Sequence, residues 1–355
     1  MTGTSNRYRV ETATPASRFA MVIAIAAVAL LAALPAFAGR GLIQDLFFVL
    51  TMLALAQYWN LLAGSAGLVS VGQQAFVGLG GYGLFAAIIV FGLDPLLAIP
   101  LAGLGALILA IPTAFIVFRL QGAYFAIGTW VIAEVFRLVL AQVKILGGGT
   151  GTSLPTDAVR SAIGVEWIAE LLDLRSSAAR DVLSYWLALA LAVISLIAIY
   201  RFMVSRRGLA LAATRDSEPA AASVGVETRR ARMTVYVLTA FATGLTGALI
   251  YLQTARISPD AAFSVLDWTA YVIFIVVIGG IGTIEGPIIG VAVLYFLRDY
   301  LADFGTWYLI LLGVLAIAVM LVAPGGIWGT IARRFDIQLF PTRHRLVRRG
   351  DRQGN

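Results

Sequence analysis

The sequence predicts an all-α polytopic membrane protein of about ten transmembrane helices, and three observations carry that prediction. Hydrophobic residues make up 60% of the 355 and charged residues only 13%, whereas a soluble domain sits near half apolar and a quarter charged. Mean hydropathy is +0.90. Apolar runs close to the roughly 20 residues that cross a bilayer recur at 19–38, 42–63, 68–91, 95–118, 122–143, 183–204, 233–254, 268–284, 286–304 and 307–323. This divides the chain into a tail at 1–18, a transmembrane domain at 19–332 and a basic tail at 333–355, with long connections at 145–182 and 205–232.

The arginines orient these spans. With the N-terminus inside, the cytosolic side holds Arg7, Arg9, Arg18, Arg119, the Arg201–Arg232 loop and the Arg333–Arg352 tail. The outer side then holds Arg40, Lys144, Arg160, Arg175, Arg180 and Arg256, with Arg298 near the outer end of its span. The flipped topology would export the two densest arginine clusters, against the positive-inside rule. Both termini are therefore expected inside. The net charge of +7 reads as a topology and lipid-headgroup signal, and no nucleic-acid partner is expected.

Absences exclude several function classes. Lys144 is the only lysine and Ile145 follows it, so no GxxxxGK[ST] nucleotide loop exists. His344 is the only histidine and cysteine is absent, which excludes HExxH zinc sites, Ser–His and Cys–His pairs and disulfides. The acidic residues at membrane depth are scattered over different spans, with no close acid/base pair. The chain is accordingly expected to be no enzyme and to hold no metal or cofactor of its own.

Taken in order, the spans carry their own signals. Ala36-Phe37-Ala38 before Gly39 resembles a signal-peptidase site, and the first span is expected to be retained. The stretch GSAGLVSVGQQAFVGLGGYG (64–83) holds seven glycines with Ser70, Gln73 and Gln74. That density suits a broken or re-entrant helix offering polar groups to a solute, or tight helix packing alone. In the span at 122–143, Trp130, Glu134, Arg137 and Lys144 fall on one helical stripe. Glu134 and Arg137, spaced i,i+3, read either as a buried structural pair at a subunit or helix interface or as a polar lining of the translocation path.

The connection at 145–182 opens with GGGTGTSLP, expected to be flexible. It continues into a short interfacial helix carrying Glu166, Trp167, Glu170, Asp173 and Arg175. At 206–248 an arginine-bracketed, small-residue segment contains its own helix start. Asp216 and Ser217 are candidate caps, Pro219 suits a first turn, and a second start follows Gly225. Ala240, Gly244 and Ala248 form one small-residue ridge, and Gly282, Gly286 and Gly290 another. Pro287 forces a break, placing a turn at Thr283–Gly286 with Glu285 at the cytosolic interface. The seven arginines from Arg333 onward suit a membrane-surface anchor.

Four stretches in this order resemble the permease subunits of bacterial ABC importers for branched-chain amino acids, closest to the M-type half of that heterodimer. They are GLVSVGQQAFVGLGGYGLFAA (67–87), YFAIGTWVIAEVFR with GGGTG (124–151), RGLALAATRDSEPAAASVGVETRRARMTVYVLTAFATGLTGAL (207–249) and ISPDAAFSVLDWTAYVIFIVVIGGIGTIEGPIIGVA (257–292) with VAPGGIWG (322–329). The resemblance implies a type II ABC importer fold in the bacterial inner membrane. It also implies pairing with a second permease, two cytosolic ATPases that bind the ATP, and a periplasmic or lipid-anchored solute-binding protein. Arg215, Asp216, Glu218, Ala221, Ala222 and Gly225 would belong to the helix that docks on the ATPase, and Ser70, Gln73, Gln74, Trp130, Glu134 and Arg137 are candidates for the translocation path. Gln73 stands where many members have histidine, and Gly325 where many have a basic residue. Relatives of the family also carry urea, short amides or other amino acids. A secondary transporter or channel is the rival reading, but it needs an ion-coupling site that Glu134 and Arg137 alone do not make.

Overall fold

A segment facing hydrocarbon must close its own backbone hydrogen bonds, so the apolar runs become helices. The computed structural model describes residues 8–11, 15–160, 162–301, 304–305, 307–335, 339–340 and 345–348. Helix α1 (Pro15–Ala33) is followed by α2 (Arg40–Asn60), which runs on as a π-helical turn at Leu61–Ser65. Residues 67–72 are not helical, and α3 (Gln73–Ile89) starts only after them. Next come α4 (Pro95–Val117), capped by the Asp94 carboxylate accepting from Leu96 N at 2.8 Å, and α5 (Ala123–Ala141). Two short helices, α6 (Thr156–Arg160) and α7 (Val165–Leu172), precede the long α8 (Ser176–Val204). Helices α9 (Arg206–Asp216) and α10 (Glu218–Ser223) link it to α11 (Thr228–Thr254). The chain continues through α12 (Pro259–Ala262), a π-helical turn at Leu266–Ala270, α13 (Tyr271–Gly279), α14 (Gly286–Leu301), α15 (Trp307–Val322) and α16 (Gly326–Phe335).

The chain is an all-α polytopic membrane protein. Eight helical segments among the described residues are long and apolar enough to cross a membrane. The other two expected spans correspond to α3 and α14, of 17 and 16 residues, each of which begins at a backbone break. Contacts sort the bundle into two ends. One end gathers the C-terminal end of α2, the α9–α10 connection and the turn after α13. Strands β1 (Tyr8–Glu11) and β4 (Arg345–Arg348) pair antiparallel, so both tails lie on one side. Phe340 N donates to Glu285 at 2.9 Å, which places that side with the turn after α13. At the opposite end buried Asp181 gathers Arg40 Nε at 2.5 Å, Gln44 Nε2 at 2.9 Å and Gln253 Nε2 at 3.0 Å.

Two sequence expectations change. The GGGTG opening of the 145–182 connection is not flexible: Thr152–Ser153 (β2) pairs with Arg256–Ile257 (β3), and a Cβ at Gly151 would sit 2.1 Å from the Ile257 carbonyl oxygen. The following helix begins at Ser176 rather than near 183, because Ala179 and Val182 bury against Val165 and Ile168 of α7.

Helix α3 lies at the centre, against α11 and α4. Its approach to α11 is close enough that a Cβ at Gly80 would lie 2.0 Å from the Gly244 carbonyl oxygen, and one at Gly247 would lie 2.2 Å from that of Val77. Gly80→Ala should therefore push two backbones apart and lower stability by about 1–3 kcal/mol. Gly105→Ala, whose Cβ meets nothing within 4 Å, should be neutral or gain up to about 1 kcal/mol from the lost glycine entropy. Thermal unfolding of the purified chain in detergent compares the two; equal midpoints would refute the close-packing account.

Candidate functional site

The backbone break after α2 needs donors that no helix supplies, and distant residues provide them. Arg215 Nη1 donates to the Gly64 carbonyl at 2.8 Å, and Arg232 Nε to that of Ala66 at 3.3 Å. Trp59 Nε1 donates to Ser70 O at 2.8 Å, while Val71 N donates to Thr129 Oγ1 of α5 at 3.0 Å. The turn after α13 is tied to the same place. Asn60 accepts from Gly282 N and donates to Thr283 O, both at 2.7 Å, and Gln57 Nε2 donates to Ile284 O at 2.7 Å. A Cβ at Gly64 would lie 2.6 Å from Gly282 N. The end of α2 and the 280–286 turn thus form one packed unit.

The arginines that close this unit come from the α9–α10 segment and its exit. Ser205 and Ser217 cap the two helices, their Oγ atoms accepting from Gly208 N and Ala220 N at 3.4 Å, and Pro219 sits in the first turn of α10. Asp216 is not a cap; its carboxylate pairs with the neighbouring Arg215 at 3.2 Å. Glu218 bridges forward, accepting from Arg232 Nη1 at 2.7 Å and Thr228 Oγ1 at 3.1 Å. Ala221 is buried, whereas Ala222 and Gly225 are exposed. The expectation of one docking helix becomes two helices, with Arg215 reaching Gly64 while still exposed, and Glu218, Ala222 and Gly225 also on the outer surface.

The candidate path residues fall into two groups. Ser70, Gln73 and Gln74 are buried. Gln73 Nε2 donates to Thr243 Oγ1 at 2.9 Å, Gln74 accepts from Thr269 Oγ1, and Ser70 Oγ accepts from Gly72 N at 3.1 Å. The two amides are thus engaged between helices, and the Ser70 hydroxyl closes a local turn in the break. Trp130 is instead 48% exposed. Glu134 and Arg137 pair through Nη2 at 2.5 Å and Nε at 2.9 Å, with side chains 46% and 27% exposed. Arg137 Nη1 also reaches Asp260 at 2.6 Å. Sequence reasoning missed Asp260 because it stands on the short α12, far along the chain. The pair is therefore not buried within this chain. The stripe lies on an open face of α5 with Tyr124, Ile127 and Leu138.

The small-residue ridges also divide. Ala240, Gly244 and Ala248 pack inward, a Cβ at Gly244 meeting Ala106 Cβ at 2.5 Å. Gly286 and Gly290 press α14 on α13, where a Cβ at Gly290 would lie 1.9 Å from Ile275 O. Gly282 is not on that ridge: it stands in the turn at φ +80°. The turn runs from Gly280 to Glu285, slightly before the expected place, and Glu285 holds Phe340 N. Of the basic tail, Arg343, His344, Arg349 and Arg352 lie outside the described residues, as does Arg7. Among the described residues no three His, Cys, Asp or Glu side chains converge on a metal site.

Residues 42–323 match the sequence signature of the family described as branched-chain amino acid transport system, permease component. The chain is 29% identical over 314 residues to the high-affinity branched-chain amino acid transport system permease protein LivM of Escherichia coli, covering 85% of this chain and 73% of the relative. Identity to LivM of Salmonella typhimurium is 29% over 328 residues, covering 87% and 74%. A probable branched-chain amino acid transport permease of Methanocaldococcus jannaschii is 26% identical over 205 residues, covering 54% and 55%. No solved structure matches the chain. The first span falls outside the shared region, but the helix break, the arginine-bearing α9–α10 segment and the α5 stripe all fall within it, and the chain belongs to the branched-chain amino acid transport permease family.

Proposed function

We propose that this chain is one permease half of an ATP-driven importer for branched-chain amino acids in a bacterial inner membrane, with both termini and the α9–α10 segment in the cytosol. The positive-inside rule supports that orientation, since it keeps Arg201–Arg232 and the C-terminal arginines on one side. ATP hydrolysis belongs to separate subunits that dock on the α9–α10 surface, and a soluble solute-binding protein delivers the amino acid to the opposite end. The face of α5 bearing Trp130, Glu134 and Arg137 meets the second permease along the path, because charged groups at this depth are costly against lipid.

The observation that carries the reading is the pair of arginine contacts to Gly64 and Ala66. A push on α9 and α10 reaches Arg215 directly, and reaches Arg232 through Glu218. Both arginines hold the break between α2 and α3. The break is in turn fastened to Thr129, next to Trp130 on α5. Motion at the ATPase surface is thereby delivered to the proposed path through named hydrogen bonds.

Three experiments test this. Affinity purification from the native membrane should recover a second permease and P-loop ATPases; recovery of the chain alone would refute the importer reading. In the reconstituted complex, Arg232→Ala should leave assembly and ATP hydrolysis in place while uptake falls about tenfold or more, since it removes two charge-assisted contacts worth about 1.5–3 kcal/mol each. Unchanged uptake refutes the linkage. Gly225→Trp, at an exposed position with φ +87°, should abolish ATPase co-purification while costing the free chain about 1–2 kcal/mol of backbone strain. Normal ATPase recovery would move the docking surface elsewhere.

A further inference from the structure

The start of α11 and the last turns of α4 enclose a groove of about 880 Å³. Along α11 two rows run down it at four-residue spacing: Arg229, Met233 and Val237, and Arg230, Thr234 and Leu238. Each row starts at a guanidinium and ends on apolar carbon eight residues on, about 12 Å along the helix. The hydroxyl between them, of Thr234, is spent on the Arg230 carbonyl at 2.9 Å. Ile111 and Phe115 of α4, also four apart, form the opposite wall. The two helices are packed firmly here, the Phe118 ring meeting that of Tyr236 at 5.6 Å. Phe115 is nonetheless 52% exposed and Leu238 49%, so the groove opens sideways, where a membrane helix meets lipid.

Charge at the mouth is not balanced within the chain. Arg229 has no hydrogen bond or ion pair among the described residues. Arg230 pairs only with Glu227, at 3.2 Å, both side chains being largely exposed. A second recess of about 520 Å³ shares Arg230 and Glu227 and adds Arg207 of α9, likewise without an ion pair among the described residues. Three arginines thus face one carboxylate, a net charge of +2 across the two linings. A matching ligand is anionic at one end and aliphatic at the other. A free anion gains nothing from the apolar walls, and a zwitterionic headgroup brings a cation that the arginines repel. We propose that this groove holds an anionic phospholipid, its phosphate on Arg229 and Arg230 and an acyl chain along Phe115, Val237 and Leu238.

Such binding needs α4 and α11 in a bilayer or micelle but no partner subunit, so it is read on the isolated full chain and stands apart from the importer reading. Native mass spectrometry follows lipid retained by the chain purified in detergent with equal amounts of phosphatidylglycerol and phosphatidylcholine of the same acyl chains. Phosphatidylglycerol should be retained about fivefold or more in preference, and glycerol phosphate at constant ionic strength should not displace it. Arg229→Gln, which breaks no contact within the chain, should lower its retention about fivefold, and adding Arg230→Gln about tenfold or more in all. Arg333→Gln with Arg334→Gln, in the last turn of α16, should leave retention unchanged. Equal retention of the two phospholipids would leave the face to a protein partner and overturn the proposal. Displacement by glycerol phosphate overturns it in favour of a free-anion site. Unchanged retention in Arg229→Gln, or an equal loss in the α16 variant, overturns it in favour of attraction by overall charge.

Discussion

Within a membrane every backbone carbonyl and amide must find a partner inside the protein, and the stretch from Leu61 to Gly72 is where this chain meets that constraint away from a regular helix. The π-helical turn and the extended residues after it expose carbonyls that α2 cannot satisfy. Arg215 and Arg232 supply donors from more than 150 positions away in sequence. Trp59 Nε1 donates to Ser70 O, and Thr129 Oγ1 accepts from Val71 N. Asn60 and Gln57 extend the same solution to the 280–286 turn, so two irregular segments satisfy one another's surroundings. Removing the arginine-bearing segment would leave buried polar groups bare, which is why α9 and α10 cannot drift independently of the bundle.

The break also explains the centre of the molecule. Because α3 begins late, Gln73 and Gln74 stand at its first turn, deep in the core, where each finds a threonine on a neighbouring helix. The glycines that follow then let α3 lie against α11 at backbone contact. Polar pairs set the register of the three helices, and glycine contact sets their spacing. A longer, regular helix in this place would have neither the amides at that depth nor the freedom to start beside Thr129.

Polar groups on the outer surfaces are treated differently. Glu134, Arg137 and Asp260 satisfy one another on an open face of α5, and Arg160, Arg180 and Arg256 gather without a matching carboxylate around a recess. In the interior most polar groups are paired within the chain, although Gln57 Oε1, the Tyr82 hydroxyl and Ser184 Oγ are buried without a hydrogen-bond partner.

Much of this was legible in order of residues. The apolar runs located the helices because burial in lipid demands length and composition, properties a local window contains. The glycine density from Gly64 to Gly83 suited a broken helix or tight packing, and Ser217 with Pro219 announced the start of α10. Tertiary structure alone decided which polar groups meet. Glu134 and Arg137 are neighbours on one helix, so spacing revealed them; Asp260, the third member, is brought by a separate short helix. Ser70, Gln73 and Gln74 read from their chemistry as solute-facing or as packing groups; Gln73 and Gln74 meet threonines of other helices, and Ser70 Oγ accepts from Gly72 N. Arg215 read as a member of the docking segment, and its bond to the Gly64 carbonyl is a contact no local window contains. Periodicity reports which face of a helix is polar, and the contact that satisfies that face depends on helices far along the chain.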